Sequence, residues 1–326
     1  MTDPKPIFTI SSPEDFTAAA LETFRFQAEH CPPYREYIGY LGINPATVST
    51  VEKIPFLPIE IFKSHRVYSA GEQEEQMVFT SSSTTGQEPS RHYVADLSLY
   101  EKSFTQGFER FYGDPAEYAL FALLPSYLER HGSSLVYMAD RLMRMGQGGG
   151  FFLYDHAALL EAMDAAAAKG RKMLLLGVSF ALWELAEKHK FNYPGLTVME
   201  TGGMKGRREE ITREALHAIL CDSFGVESIH SEYGMAELLS QAYSSGGGIF
   251  WCPPWMRVLT RDLYDPLDVF SEGKSGGINI IDLANRYSCS FIETQDLGIC
   301  WPDGTFRIDG RIDRSEVRGC NLLVAD

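Results

Sequence analysis

The sequence lacks the marks of a secreted, membrane-spanning or zinc-binding protein. Its six cysteines form no C-x-x-C pair, so the spacing typical of zinc ligands is missing. The first ten residues carry no positively charged segment followed by an apolar run. The longest apolar stretch, residues 173–186, contains Ser179 and Glu184 and is too short to cross a bilayer. We therefore expect a reduced, cytoplasmic protein without a membrane span.

Positive charge is also scarce. The 326 residues include 29 Lys and Arg against 44 Asp and Glu, which gives a formal net charge of −15. Nucleic acid is therefore not an expected partner, and an anionic ligand such as ATP would need a local positive patch or Mg²⁺. Hydrophobic residues make up 44% of the chain, enough for a large core in one domain or two lobes.

The most unusual stretch is a run of six hydroxyl residues that ends at a glycine. A buried hydroxyl without a partner costs about 1–3 kcal/mol, so such a run does not suit a core. A turn of this composition can instead present N–H and O–H donors to a phosphate. A solvated loop is the alternative if the run is taken alone. The residues are Thr80, Ser81, Ser82, Ser83, Thr84, Thr85 and Gly86, and Arg91 follows.

Short apolar runs alternate with helical patterns in the middle of the chain. Repeated β–α units of this kind imply a parallel sheet that is covered by helices on both faces. A helix is expected over residues 207–224, closed by Gly225. Strands are expected at residues 118–124, 151–154, 173–178, 196–200 and 226–230.

After residue 240 the pattern changes to short strands separated by Gly, Pro and Asp turns, the first of them at residues 249–259. We expect one α/β domain over residues 1–326, with an α/β lobe at 1–239 and a β-rich lobe at 240–326. The glycine clusters at 148–150 and 246–248 lack the Walker lysine and the Rossmann spacing, so both are predicted to be turns.

Several polar turns follow expected strands, where parallel sheets bind ligands. Gly202 and Gly203 would allow a ligand close to the backbone, and Lys205 would add charge near a helix N-terminus. The turn after the next strand carries an aromatic face at Tyr233 and a carboxylate suited to Mg²⁺ at Glu237.

Two further turns lie in the β-rich lobe. Asp296 could accept both hydroxyls of a ribose, and Arg311 lies in the sequence Gly310-Arg311-Ile312-Asp313. Each of these turns, taken singly, is more often a plain turn than a binding site.

In this order and spacing, the stretches resemble the motifs of the adenylate-forming superfamily of acyl-CoA ligases, luciferases and adenylation domains. The run from Thr80 resembles its phosphate loop, and Tyr233-Gly234-Met235-Ala236-Glu237 resembles its Tyr-Gly-x-Thr-Glu motif. Residues 294–297 and 310–313 resemble its Thr-Gly-Asp-Leu and Gly-Arg-x-Asp motifs. Further phrases, at 79–86 with 90–91, 124–128, 133–135, 201–205 and 317–320, are similar to LuxE-type acyl-protein synthetases.

This resemblance implies the N-terminal fold of adenylate-forming enzymes, with layered parallel sheets, and a ligase reaction. ATP and a carboxylic acid, expected to be a fatty acid, would give an acyl-adenylate and pyrophosphate, and an enzyme cysteine would then take the acyl group as a thioester. The hydroxyl run, with Gly86, would hold the phosphates. Acyl reductase and acyltransferase partners are also implied. The roles implied for single residues are adenine stacking for Tyr233, Mg²⁺ placement for Glu237, ribose binding for Asp296, ribose or phosphate contact for Arg311, and acyl acceptance for Cys320.

The sequence also departs from the family pattern. Ser83 and Gln295 stand where glycine is usual, and the chain ends at Asp326, where the family continues into a small C-terminal domain that brings a catalytic lysine. We expect that domain to be absent and Lys205 to replace the lysine. For Cys320, the alternative to acyl acceptance is a purely structural role. Two other functions stay open: a phenylacetate-CoA-ligase-like enzyme that passes its acyl group to CoA or a carrier, and a non-catalytic subunit that binds nucleotide or acyl groups.

Overall fold

The computed structural model describes residues 7–82, 88–125, 132–202, 211–270 and 273–312. The helices are α1 (Pro13–His30), α2 (Pro32–Tyr40), α3 (Ile61–Ser64), α4 (Leu97–Tyr112), α5 (Ser134–Met145), α6 (His156–Ala167), α7 (Ser179–Lys188) and α8 (Arg213–Phe224). The strands up to the end of the first sheet are β1 (Leu57–Pro58), β2 (Met77–Thr80), β3 (Arg91–Val94), β4 (Tyr118–Leu123), β5 (Gly149–Phe151), β6 (Lys172–Val178), β7 (Leu196–Thr201), β8 (His230–Tyr233) and β9 (Ala242–Ser244). The remaining strands are β10 (Met256–Arg261), β11 (Val269–Phe270), β12 (Ser275–Asp282), β13 (Phe291–Cys300) and β14 (Phe306–Arg311).

The first sheet has the strand order β5-β4-β6-β7-β8-β9. The strands from β5 to β8 are parallel, and β9 is antiparallel to β8. Every residue of β4 is buried, as is every residue of β6 after Lys172, because helices cover both faces of a parallel sheet. The expected α/β fold with a parallel sheet is thus confirmed.

The second sheet has the strand order β1-β13-β12-β10-β11, and β14 also pairs with β13. Its pairings are antiparallel except for β1, which runs parallel to β13. The sheet therefore takes most of its strands from the part of the chain after residue 240 and one from residues 57–58. A separate antiparallel hairpin, β2-β3, carries the start and the end of the hydroxyl loop.

Helix α1 begins where the sequence provides a cap. Ser12 Oγ accepts a hydrogen bond from the Asp15 amide at 3.1 Å, and Pro13 occupies the first turn, where its missing N–H is not needed. The buried face of the helix includes Phe24, whose ring meets that of Phe291 edge to face at a centroid distance of 6.0 Å. The apolar stripe of α1 therefore covers the second sheet.

Three local predictions need correction. Strand β5 covers Gly149–Phe151 instead of 151–154, so two glycines of the cluster predicted as a turn form a strand. A Cβ on Gly149 would lie 1.7 Å from the carbonyl oxygen of Leu120, so only glycine fits this close pairing.

The other two corrections concern strand positions. Strand β8 begins at His230, because Gly225 ends α8 in the left-handed conformation with φ +66° and bends follow it. Within the strand predicted at 249–259, continuous strand pairing begins only at Met256. Pro253 and Pro254, which have no N–H to donate, precede it. No helix in the described ranges is long and apolar enough to cross a membrane.

Candidate nucleotide site

Three of the predicted ligand groups meet in space. The Tyr233 hydroxyl donates to Asp296 Oδ2 at 2.7 Å, and Arg311 Nε lies 3.6 Å from Asp296 Oδ1. Tyr233 ends β8 in the first sheet, whereas Asp296 and Arg311 are directly paired on β13 and β14 of the second. The site therefore lies at the junction of the two sheets, at the carboxyl edge of the parallel one, where α/β folds bind ligands.

The Tyr233 ring is held by two phenylalanines. Phe250 and Phe306 stack on each other with centroids 5.3 Å apart, and each meets Tyr233 edge to face, at 5.9 and 5.5 Å. Arg213 of α8 lies over the Phe250 ring at 5.5 Å and donates from Nη1 to the Ile308 carbonyl at 3.1 Å. The orientation of the tyrosine is thus fixed by Phe306 of the second sheet and by Phe250, which lies between β9 and β10.

Asp296 is an acceptor in a mostly buried setting. Burial raises its pKa, while the Tyr233 hydrogen bond and the charges of Arg311 and Arg261 act in the opposite direction. Its two oxygens offer about four acceptor sites, of which Tyr233 takes one. The remaining sites suit paired hydroxyl donors such as those of a ribose.

The described part of the hydroxyl run lies at the end of the β2-β3 hairpin. Thr80 pairs with Arg91 across the hairpin, and the Thr80 amide donates to the Gly132 carbonyl at 2.7 Å. Ser81 Oγ accepts from the Ser90 amide at 3.0 Å and closes the base of the loop. Ser82 is described as well, but Ser83, Thr84, Thr85 and Gly86 lie outside the described residues.

A buried histidine joins this hairpin to the Tyr233–Glu237 segment. His92 of β3 has Nδ1 2.8 Å from the Ala236 carbonyl and Nε2 2.8 Å from Asn285 Oδ1. Asn285 Nδ2 in turn donates to the Glu237 carbonyl at 2.7 Å. Burial lowers the pKa of His92 to about 4. These contacts give His92 a structural role, because they hold the hairpin to the segment that carries Glu237.

Glu237 is buried at the end of that segment, with a relative exposure of 5%. Burial raises its pKa, and the nearby positive charges of Lys63 and Arg311 oppose the shift. No group of three or more His, Cys, Asp or Glu side chains that could hold a metal occurs in the described ranges. A lone carboxylate still fits Mg²⁺, which proteins usually bind through one or two carboxylates together with substrate phosphates.

The glycines of the site are placed by close packing. The Ser179 hydroxyl lies 2.5 Å from the Gly202 carbonyl and 2.9 Å from Glu200 Oε2, which ties the turn after β7 to α7. A Cβ on Gly234 would lie 2.4 Å from Glu232 Oε1, so a larger residue would displace that carboxyl. Gly203, Lys205 and Cys320 lie outside the described residues.

Sequence reasoning missed the role of Gln295, which it noted only as a departure from glycine. Its Oε1 accepts from Arg311 Nη2 at 3.3 Å and its Nε2 donates to Glu60 Oε1 at 2.6 Å. The side chain thus links Arg311 to the segment before α3. The position of Gln295 next to Asp296 could have indicated a role in the site. Its bond to Glu60, 235 residues away, could not have been predicted from the sequence.

Comparisons with known proteins bear on the family resemblance and on the fold. A family model described as acyl-protein synthetase, LuxE, matches residues 9–99. A long-chain-fatty-acid–luciferin-component ligase of Vibrio harveyi is 24% identical over 93% of this chain and 85% of its own length. The ligase of the same description from Aliivibrio fischeri is 22% identical over 94% and 86%.

Solved structures give the fold. A crystal structure of 2-hydroxyisobutyryl-CoA ligase in an open conformation, with 2-HIB-AMP and CoA, superposes with a TM-score of 0.72 at 15% identity. The match covers 94% of this chain and 77% of that one. The chain therefore has the fold of the adenylate-forming ligases, and its resemblance to the LuxE-type acyl-protein synthetases is confirmed.

Proposed function

We propose that this chain is an ATP-dependent acid ligase that forms an acyl-adenylate and passes the acyl group to a cysteine of the enzyme, as an acyl-protein synthetase. The observation that carries the proposal is the contact of Tyr233, Asp296 and Arg311, which come from three separate strands and two sheets. A flat aromatic ring, a paired acceptor and a cation at one sheet edge match adenine, ribose and phosphate. The names of the relatives support a long-chain fatty acid as substrate.

In this function, the residues act mainly by positioning. Tyr233 would stack on the adenine, Asp296 would accept the ribose hydroxyls, and Arg311 would face the ribose or the phosphates. The hydroxyl run from Thr80 would donate to the phosphate oxygens. Attack of the acid carboxylate on the α-phosphorus, which releases pyrophosphate, then needs alignment and charge stabilisation more than covalent help from the protein.

Mg²⁺, when bound at Glu237 and the phosphates, would supply charge neutralisation. Lys205 is proposed as the additional cation of the adenylation step and Cys320 as the acyl acceptor. Thiolates are the reactive form of cysteine, and Arg318 would favour that form in Cys320.

The first experiment is acid-dependent exchange of labelled pyrophosphate into ATP. Exchange that requires both the protein and a carboxylic acid is the expected result. Absence of exchange with every acid in a panel of fatty, aryl and short-chain acids would favour the non-catalytic binding subunit instead.

The nucleotide assignment is tested with Tyr233→Ala. Loss of the ring should weaken ATP binding by about 1–3 kcal/mol, as for other aromatic–base stacks. Tyr40→Ala is the matched control, because Tyr40 is 82% exposed. Equal ATP affinity of the Tyr233 variant and the control would remove the adenine assignment.

The acceptor is tested separately. The protein is incubated with ATP and labelled acid, digested, and the labelled peptide is identified in wild type and in Cys320→Ser. Label on the peptide that contains residue 320, lost in the variant while pyrophosphate exchange persists, is the expected result. Label that persists in the variant would exclude Cys320. Transfer to CoA in place of protein would favour the CoA-ligase alternative.

A further inference from the structure

Helix α3 brings a lysine, Lys63, to the nucleotide groups. The strand before this helix, β1, pairs in parallel with β13, and the Ile59 amide extends the pairing by donating to the Glu293 carbonyl at 2.9 Å. Asp296 lies three residues further along β13. The chain therefore enters α3 beside the strand that carries the expected ribose acceptor.

Two side-chain contacts fix the position of α3. Glu60 Oε1 accepts from Gln295 Nε2 at 2.6 Å, and the same glutamine also bonds the arginine of the site. On the other side, the Phe62 ring meets the His92 ring edge to face at a centroid distance of 6.1 Å, and His92 Nδ1 lies 2.8 Å from the Ala236 carbonyl. The helix is therefore held where the two sheets and the β2-β3 hairpin meet.

The hairpin places the same helix at the base of the expected phosphate loop. The hydroxyl run starts at Thr80, which is paired with Arg91 across the hairpin, and His92 is the next residue of β3. Because Phe62 packs on His92, its neighbour Lys63 lies near the start of the hydroxyl run as well as near the ribose acceptor.

The charge of Lys63 is available for a ligand. Its side chain is exposed, and in the described ranges no carboxylate pairs with its ammonium group and no hydrogen bond holds it. Burial raises the pKa of Glu237, and the positive charges of Lys63 and Arg311 act against that shift, so both cations lie near this carboxylate. Arg311, by contrast, already contacts Asp296 and Gln295.

A cation of this kind fits the part of ATP that the other groups do not reach. The chain has a net charge of −15, so a polyphosphate needs local positive charge in order to bind. Tyr233 and Asp296 suit adenine and ribose, which carry no negative charge. A lysine offers a compact positive charge on a flexible four-carbon stem, which suits the terminal phosphates.

We infer that Lys63 binds the β- and γ-phosphates of ATP and stabilises the pyrophosphate as it leaves. The inference rests on the proposed function and is additional to the role proposed for Lys205. In the adenylation step, a carboxylate oxygen of the acid forms a bond to the α-phosphorus, and the bond from that phosphorus to the oxygen bridging to the β-phosphate breaks. The electron pair of the broken bond stays on the pyrophosphate, where the ammonium group of Lys63 balances the added charge.

The first test compares the binding of ATP and AMP, measured by calorimetry without an acid. Lys63→Met removes the charge and keeps most of the length of the side chain. Its affinity for ATP should fall by about tenfold or more, as for other bonds to a charged group. Its affinity for AMP, which lacks the β- and γ-phosphates, should change by less than about twofold, and Lys63→Arg should keep ATP affinity within about threefold of wild type.

The second test separates the two half-reactions. In Lys63→Met, pyrophosphate exchange should fall by about tenfold or more in kcat/KM for ATP. Labelling of the protein by acyl-adenylate supplied directly should stay within about twofold of wild type, because that step involves no pyrophosphate. A purely structural role of Lys63 would lower both rates together.

Lys169→Met is the matched control. Lys169 is also exposed, but it lies between α6 and β6, at the amino edge of the parallel sheet and away from the site. This variant should bind and exchange ATP as wild type does. Thermal unfolding of each variant verifies that it is folded.

The outcomes separate this inference from the function on which it rests. Unchanged ATP affinity in Lys63→Met would overturn the inference, and equal losses for ATP and AMP would overturn it too, because Lys63 would then only balance the charge of Glu237. No exchange by wild type with any acid would defeat the proposed ligase, while the comparison of ATP with AMP would still decide the role of Lys63. Absence of ATP binding to wild type would overturn both.

Discussion

The two sheets bury different kinds of side chain. In the parallel sheet, the central strands β4 and β6 are lined by apolar residues such as Phe121 and Leu175, with 1% and 0% relative exposure. In the antiparallel sheet, the strands bury Arg261, Asn279 and Asp282 at 3%, 0% and 0%. The first sheet is thus stabilised mainly by non-directional burial, and the second also by directed hydrogen bonds.

The polar contacts of the second sheet hold specific strands together. Arg261 of β10 donates from Nη1 to Asn279 Oδ1 at 2.9 Å and from Nη2 to the Thr294 carbonyl at 2.8 Å. Its Nη2 also lies 3.3 Å from Glu293 Oε1. One side chain therefore ties β10 to β12 and to β13, just before Asp296.

Asp282 joins the second sheet to the end of the first. Its carboxylate accepts from the amides of Leu239 and Ser240 at 2.7 and 2.9 Å, and from the Ser240 hydroxyl at 2.5 Å. These residues lie between Glu237 and β9. The difference between the sheets shows that apolar strands build the frame, while buried polar contacts set the position of the site groups relative to it.

The largest expected effect comes from Asp282→Ala. The substitution leaves several buried donors without an acceptor, at about 1–3 kcal/mol each, so the free energy of unfolding should fall by about 3–5 kcal/mol. Chemical denaturation measures the loss. The corresponding apolar deletion in the first sheet, Leu175→Ala, should cost about 2–5 kcal/mol.

Asp303→Ala serves as the control for Asp282→Ala. Asp303 also accepts from an amide and a hydroxyl, both of Thr305 at 2.9 and 2.6 Å, but it is exposed. Water can replace the Asp303 carboxylate there, so the free energy of unfolding should fall by less than about 1 kcal/mol. If Asp282→Ala and Asp303→Ala lowered the free energy of unfolding equally, buried polar contacts would stabilise the second sheet no more than exposed ones do.

A second prediction concerns Glu232 of β8, which with Glu200 of β7 is one of two buried carboxyls near strand ends of the first sheet. Burial raises the pKa of Glu232 to about 7 from 4.5, and the charge of Glu200 acts in the same direction. The folded state then keeps a proton that the unfolded state has released. The stability from this group is present below about pH 4.5 and is lost as the pH rises to about 7, by on the order of 3 kcal/mol.

Glu232→Gln isolates this effect. The free energy of unfolding of wild type should fall relative to the variant between pH 4.5 and 8, and the two curves should run parallel above pH 8. Glu200, whose pKa is lowered with help from His217 and Arg213 despite its burial, has the opposite sign but is present in both proteins. A constant difference across the range would show that Glu232 titrates as an exposed carboxyl does.

Much of the first sheet could be predicted from the sequence because its strands are short apolar runs between helices. The predictions failed where backbone geometry decided the outcome. Gly149 pairs with β4 because no Cβ fits against Leu120, and the bend after Gly225 delays β8 to His230. Hydrophobic pattern carries no information on such close approaches.

For the site, residue type and order in the sequence singled out Tyr233, Asp296 and Arg311, and the structure brings the three into contact. The predicted turn at Asp296 is wrong, because Asp296 lies inside β13, and Tyr233 and Arg311 end their strands. The contacts that support them could not be predicted. His92 meets Asn285, 193 positions away, through one hydrogen bond. The amide oxygen of Gln241 has no hydrogen-bond partner among the described residues, which can be recognised only once its surroundings are known. Long-range polar contacts of this kind leave no periodic signal in the sequence.

The smallest expected effect is that of Gln295→Gly, which restores the glycine usual in the superfamily. The Ile312 amide donates to the Gln295 carbonyl at 2.7 Å, and this backbone contact survives the change. Loss of the bonds to Arg311 and Glu60, in a partly exposed setting, should cost about 0.5–1.5 kcal/mol of stability, to which glycine in a strand adds about 0.5–1 kcal/mol.

Gln295→Ala separates the two contributions, because it removes the same side-chain bonds without the entropy cost of glycine. Arg311, no longer held by Gln295, should remain beside Asp296 through their charges, so the affinity for ATP should change by less than about threefold. A loss of ATP binding tenfold or larger in Gln295→Ala would mean that the side chain of Gln295 itself holds Arg311 in place. The polar contacts of the second sheet would then extend into the nucleotide site.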